Sequence, residues 1–90
     1  MIRVEGRAAA LVRVAGGELT VTVTDPAPPG ARLGVALDEP GGPTHRFRLK
    51  VHECRRTDQG FTVRGALLDL HREARLALLA AAGARPEGDS

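Results

Sequence analysis

Between His45 and Ala82 the apolar residues change their period once, and that change limits the fold more than any other feature of the chain. Residues His45 to His52 place Phe47, Leu49 and Val51 on one side and Arg46, Arg48, Lys50 and His52 on the other. This is the period-two pattern of a half-buried strand. Arg55-Arg-Thr-Asp-Gln-Gly60 turns the chain, and the alternation returns with Phe61, Val63, Gly65 and Leu67 on one face. Gly65 in mid-strand predicts a bend or a bulge. From Leu70 the spacing becomes helical, with Leu70, Ala74, Ala77, Leu78 and Ala81 on one stripe. A closing helix over 70–82 is expected, with Asp69 as N-cap, Glu73 in the first turn and Gly83 as the stop.

Upstream, shorter strands complete a sheet with this pair. Ala8 to Val14 mixes three alanines with β-branched valines, and the Gly16-Gly17 turn that follows decides for a strand. Leu19, Val21 and Val23 then alternate with threonines, which makes a hairpin. Asp25-Pro-Ala-Pro-Pro-Gly30 interrupts the pattern, Ala31 to Leu37 resumes it with Leu33, Val35 and Leu37 facing in, and Asp38 to Thr44 forms a second Pro/Gly loop. Residues 1–7 read as a short charged arm carrying Arg3 and Arg7. The expectation is a mainly-β domain over 1–82: five antiparallel strands in a small barrel of the split-barrel type, with one C-terminal helix and a disordered tail over 83–90.

Composition narrows the function. The chain of 90 residues is 42% apolar but 2% aromatic, so its core is built of Leu, Val and Ala, and so small a domain gains stability from a partner. A net charge of +2 is too mild to point to nucleic acid or membrane. The basic stripe Arg46, Arg48, Lys50 and His52, with Arg64 expected across from it, lacks the aromatic platform on which bases stack, because Phe47 and Phe61 fall on the core faces. An unidentified protein partner is expected, which could use that stripe equally well, and a small basic β-barrel binding nucleic acid is the minor alternative. The single cysteine, Cys54, makes neither an internal disulfide nor a cysteine-rich metal site and reads as a small half-buried side chain. His45, His52 and His71 have no metal-ligand spacing and read as surface residues. No Ser, Cys or carboxylate stands beside a histidine in a catalytic spacing, so neither an enzyme nor a cofactor is expected. No window is apolar enough for a signal peptide or a membrane span, so the expected setting is the cytoplasm, and the Ala, Arg, Gly and Pro usage suggests bacterial, GC-rich coding.

From Pro29 to Ala82 the order of elements resembles the PilZ domain, the bacterial receptor module for cyclic di-GMP. The likeness rests on a turn ending in Gly30, a strand, a Pro/Gly loop, a long strand running into charged residues, Gly60-Phe61 opening the last strand, and Gly65-Ala-Leu-Leu-Asp-Leu leading into Arg75-Leu-Ala-Leu-Leu. Five strands are one fewer than that family's usual six. Ligand binding in the family rests on RxxxR and on a later D/N-x-S-x-x-G. Arg3-Val-Glu-Gly-Arg7 has the spacing of the first, and Asp25-Pro-Ala-Pro-Pro-Gly30 follows the second with Ala27 in place of Ser. The resemblance implies a non-catalytic signalling domain that binds cyclic di-GMP through Arg3, Arg7, Asp25 and Gly30, the arm folding over the barrel when ligand arrives. Guanidinium groups suit phosphates and purine faces, and glycine allows close backbone approach. A second alignment takes Asp25 to Leu37 as the family's proline-glycine turn and middle strand. It moves the second motif to Val12 to Gly17, where no acidic residue stands, and implies a degenerate module that binds a protein and no nucleotide.

Overall fold

The alternating segments pair into one closed sheet. In the computed structural model, which describes residues 1–83, the elements are β1 (Ile2–Val4), β2 (Arg7–Ala15), β3 (Glu18–Val23), β4 (Arg32–Asp38), β5 (Thr44–Thr57), β6 (Gly60–Leu68) and α1 (Arg72–Ala81). The strands form a closed antiparallel barrel in the order β1-β2-β3-β6-β5-β4. The expected tail over 83–90 lies, beyond Gly83, outside the described residues.

The barrel interior is filled by the residues that alternation assigns to it. Leu19, Val21, Val23, Val35, Leu37, Phe47, Leu49, Val51 and Val63 are all buried, and the intervening Arg46, Arg48, Lys50 and His52 are exposed. Leu33, Phe61 and Leu67 pack half-buried around them. Helix α1 lies against β2, β4 and β5 and seals one end with Ala74, Ala77 and Leu78. At the other end the chain between β3 and β4 folds inward, and Ala27 is 7% exposed and part of the core.

Four local expectations are corrected. The N-terminal arm is a strand: Ile2 to Val4 pairs with Ala9 to Arg7 on one side and with Leu37 to Val35 on the other, which closes the barrel and makes six strands where five were expected. Its tight turn has Glu5 and Gly6 at positive φ (53° and 79°). The long strand does not end before Arg55 but continues to Thr57, so that only Asp58 and Gln59 separate it from β6. Asp69 is not the N-cap. It sits at φ 58° with its carboxylate on Arg48, and the helix starts at Arg72 after His71, which makes no side-chain cap bond. His45, expected at the surface, has a side chain only 12% exposed and bonded to Glu39.

Gly65 marks the bulge the sequence predicts, although the extra residue lies on the neighbouring strand. The β5–β6 register shifts between Val51 and Glu53, directly after Val51 pairs with Gly65. A Cβ on Gly65 would overlap the Lys50 carbonyl and stand 3.1 Å from the Val51 Cα, so the two backbones approach closely because the side chain is missing. Gly65→Ala is therefore expected to destabilise the domain by about 1–3 kcal/mol. Gly34→Ala serves as the control, since a Cβ there meets only the tip of Glu5 at 3.4 Å. Thermal unfolding followed by circular dichroism should show a clearly lowered Tm for the first variant and little change for the second.

Candidate functional site

The four residues that the resemblance implies do not lie at one place. Arg3 is the middle residue of β1, between the buried Ile2 and Val4, so its side chain leaves the outer face of the barrel. There its Nη2 donates to Asp38 Oδ1 at 2.9 Å, and its Nε is buried without an acceptor. Arg7 is directly opposite Val4 in the hairpin and shares its face, which points to the barrel mouth. At that mouth Arg7 Nη1 lies 3.2 Å from Asp25 Oδ2, with both side chains largely exposed. The hairpin that carries the arginine pair thus sends its two guanidinium groups to opposite faces and to different aspartates.

The Arg7–Asp25 pair edges a small cleft between β1, β2 and the β3–β4 loop, of about 110 Å³ and lined by Val4, Val23, Ala27 and Leu33. Enclosed drug-sized ligands occupy pockets of ~300 Å³ and more, so a dinucleotide would lie across this mouth rather than inside it. Gly30 is at φ 88°, and its N–H donates to the Val51 carbonyl at 2.7 Å, fastening the loop to β5. Ala27, where the family motif has Ser, faces the core, and a hydroxyl there would need an acceptor inside an apolar plug.

The outer face of β4 and β5 gathers cations. Register sets Arg3, Ala36 and Arg46 in one row across β1, β4 and β5, and Arg32 directly opposite Lys50 in another. Arg3 is paired to Asp38, and Arg48 to Asp69 at 2.6 Å. No carboxylate lies within ion-pair distance of Arg32, Arg46 or Lys50 among the described residues. Arg64 does not join this group, because its partner across the sheet is Glu53. It bridges Glu18 and Glu53, at 3.0 Å each, on the outer side of β3, β6 and the far part of β5, where His52 and Arg55 add to the network. The alternation in β5 revealed Arg46, Arg48 and Lys50. Arg32 and its pairing with Lys50 needed the β4–β5 register, and Asp38 as the holder of Arg3 needed β1 to be a strand.

The carboxylates respond to these contacts. The Arg64 hydrogen bonds hold Glu18 and Glu53 below the usual glutamate range, with His52 helping at Glu18 and Arg55 at Glu53. Asp38 is lowered first by the Thr44 hydroxyl and then by Arg3. Among the described residues no group of three or more His, Cys, Asp or Glu could hold a metal ion, and no helix is long and apolar enough to cross a membrane. No family model, no curated protein and no solved structure matches the chain.

The Arg64 bridge gives a pH signature. A carboxylate whose folded pKa is depressed contributes stability above its unfolded value, about 4.3 for Glu, and that stability is lost as pH falls through the folded value. The parent protein should therefore lose a small part of its stability as pH falls below ~4.3. Arg64→Met, which returns Glu18 and Glu53 toward their ordinary values, should show a shallower acid limb in urea unfolding. Equal slopes in the two proteins would mean that the bridge is not formed in solution.

Proposed function

We propose that this chain is a non-catalytic binding module of PilZ-like build that engages a protein partner through the outer face of β4 and β5. The observation that carries this reading is the group Arg32, Arg46 and Lys50 on one sheet face, without a carboxylate partner among the described residues and with Arg32 and Lys50 directly opposed. Like charges facing each other across two strands weaken the free sheet, and an external anionic surface relieves them. The six-stranded barrel with its C-terminal helix is the build that the PilZ resemblance implies, and it supports the reading without naming the partner. A bacterial, cytoplasmic signalling setting belongs to the same proposal.

One observation favours a second reading, a cyclic di-GMP receptor: Arg7 and Asp25, drawn from the two family motifs, meet at 3.2 Å beside the mouth cleft. On this reading Arg7 serves a phosphate or guanine, and Arg3 has to leave Asp38 and change faces to join it. The closed hairpin opposes that movement, since β1 is bonded on both edges.

Calorimetric titration of the domain with cyclic di-GMP, with GMP as control, decides between the two. The expected outcome is no saturable heat and no thermal shift. Micromolar affinity that disappears in Arg7→Ala would overturn the first reading and make the domain a second-messenger receptor.

A further inference from the structure

The outer face of β4 contains a groove whose chemistry goes beyond a general basic patch. Gly34 and Ala36 form its floor, Arg3 on β1 stands on one side and Arg46 on β5 on the other, and its volume is about 230 Å³. Because Gly34 has no side chain and Ala36 only a methyl, the long cationic side chains on both sides flank a shallow channel along the strand. Beyond the groove, two residues from Gly34 toward the start of β4, the Arg32–Lys50 pair stands on the same face, past Arg48, which is opposite Gly34 and held by Asp69. From Ala36 to Arg32 is four residues, or about 13 Å of extended chain.

A carboxylate already occupies part of this channel. The Gly34 N–H donates to Glu5 Oε2, and the Glu5 N–H donates to the Gly34 carbonyl at 2.8 Å. Glu5 thus completes the β4 edge just past the end of β1, and its side chain shows that the Gly34 amide takes a carboxylate oxygen from the groove side. The two observations are independent: one is the set of cations without carboxylate partners among the described residues, the other an acidic side chain of the chain itself bound to the Gly34 amide in the groove lining.

Resting on the protein-interaction reading above, we propose that the β4 groove docks an extended acidic segment of the partner protein. One partner carboxylate replaces Glu5 on the Gly34 N–H, and others neutralise Arg46 and the Arg32–Lys50 pair. An extended segment fits because it lies along β4 with every second side chain facing the groove, at about 7 Å spacing. Nucleic acid fits less well, since the face has no exposed aromatic ring: Phe47 beneath the groove is 4% exposed and points into the core.

The test is fluorescence anisotropy of a labelled peptide alternating glutamate with threonine, set against the same peptide with glutamine for glutamate and against oligothymidylate. The glutamate peptide should bind, weaken as salt rises, and lose about tenfold or more in affinity to Arg46→Glu or Lys50→Glu. Each variant is checked for its fold by thermal unfolding, and either one alone suffices. Glu5→Gly suits the positive φ at that position and frees the Gly34 amide, so it should bind the peptide several-fold more tightly, on the order of one charge-assisted hydrogen bond. Absence of peptide binding, equal binding of the glutamine peptide, tighter binding of oligothymidylate, or insensitivity to both charge reversals would overturn the proposal. An unchanged affinity in Glu5→Gly would overturn the exchange with Glu5. None of these results bears on the dinucleotide titration, so this proposal and the broader reading can fail separately.

Discussion

The barrel depends on a three-residue strand. β1 is the one connection between β2 and β4, and without it the sheet would be open along both of those edges, a template for unwanted pairing. Its closure rests on Ile2 and Val4, both buried, and on the tight turn at Glu5 and Gly6 that returns the chain to β2. The same strand distributes the chemistry. With Ile2 and Val4 turned inward, Arg3 can only face out, and antiparallel pairing of Val4 with Arg7 sends Arg7 to the opposite face. The turn also delivers the Glu5 carboxylate to the Gly34 amide. Closing the barrel and separating the two arginines are one geometric event.

The mouth opposite the helix shows packing deciding the path of one loop. Asp25 to Gly30 has to descend far enough for Ala27 to join the core beside Val4, Val23 and Leu33, then return to β5, where the Gly30 amide meets the Val51 carbonyl. Prolines 26, 28 and 29 suit such a path, because a loop that makes few backbone hydrogen bonds loses little by lacking N–H groups. A serine at position 27 would place a hydroxyl where an apolar methyl closes the end of the barrel. In this chain the residue at position 27 is a plug.

The strands that fill the barrel were legible because each alternates over several residues, and a one-residue slip would turn Phe47, Leu49 and Val51 to solvent. The helix was legible through Ala74, Ala77 and Leu78, though not its start. Asp69 resembles an N-cap in the sequence, but Leu70 packs against the core and Asp69 takes a left-handed conformation to reach Arg48. β1 was not legible, since three residues with an arginine at the centre carry too little pattern to separate a strand from a charged arm. The arginine pair was read by spacing alone. Four residues apart in sequence means neighbours on a helix but opposite faces across a tight hairpin, so the candidate site hinged on a strand that the sequence reads as an arm.

The two outer faces of the barrel handle similar charges in different ways. On β3, β6 and the far part of β5, Arg64 is shared between Glu18 and Glu53, and His52 and Arg55 complete a network that satisfies itself. Such exposed pairs add little net stability, but they leave no charge seeking a partner. On β4 and the near part of β5 the carboxylates Asp38 and Asp69 neutralise Arg3 and Arg48, and on either side of Arg48 they leave Arg46 and the Arg32–Lys50 pair without a carboxylate partner among the described residues. A sheet selected for stability alone would set an acid opposite Lys50, as it does opposite Arg64. Arg32 in that position costs the free domain some repulsion, which solvent and salt screen only in part.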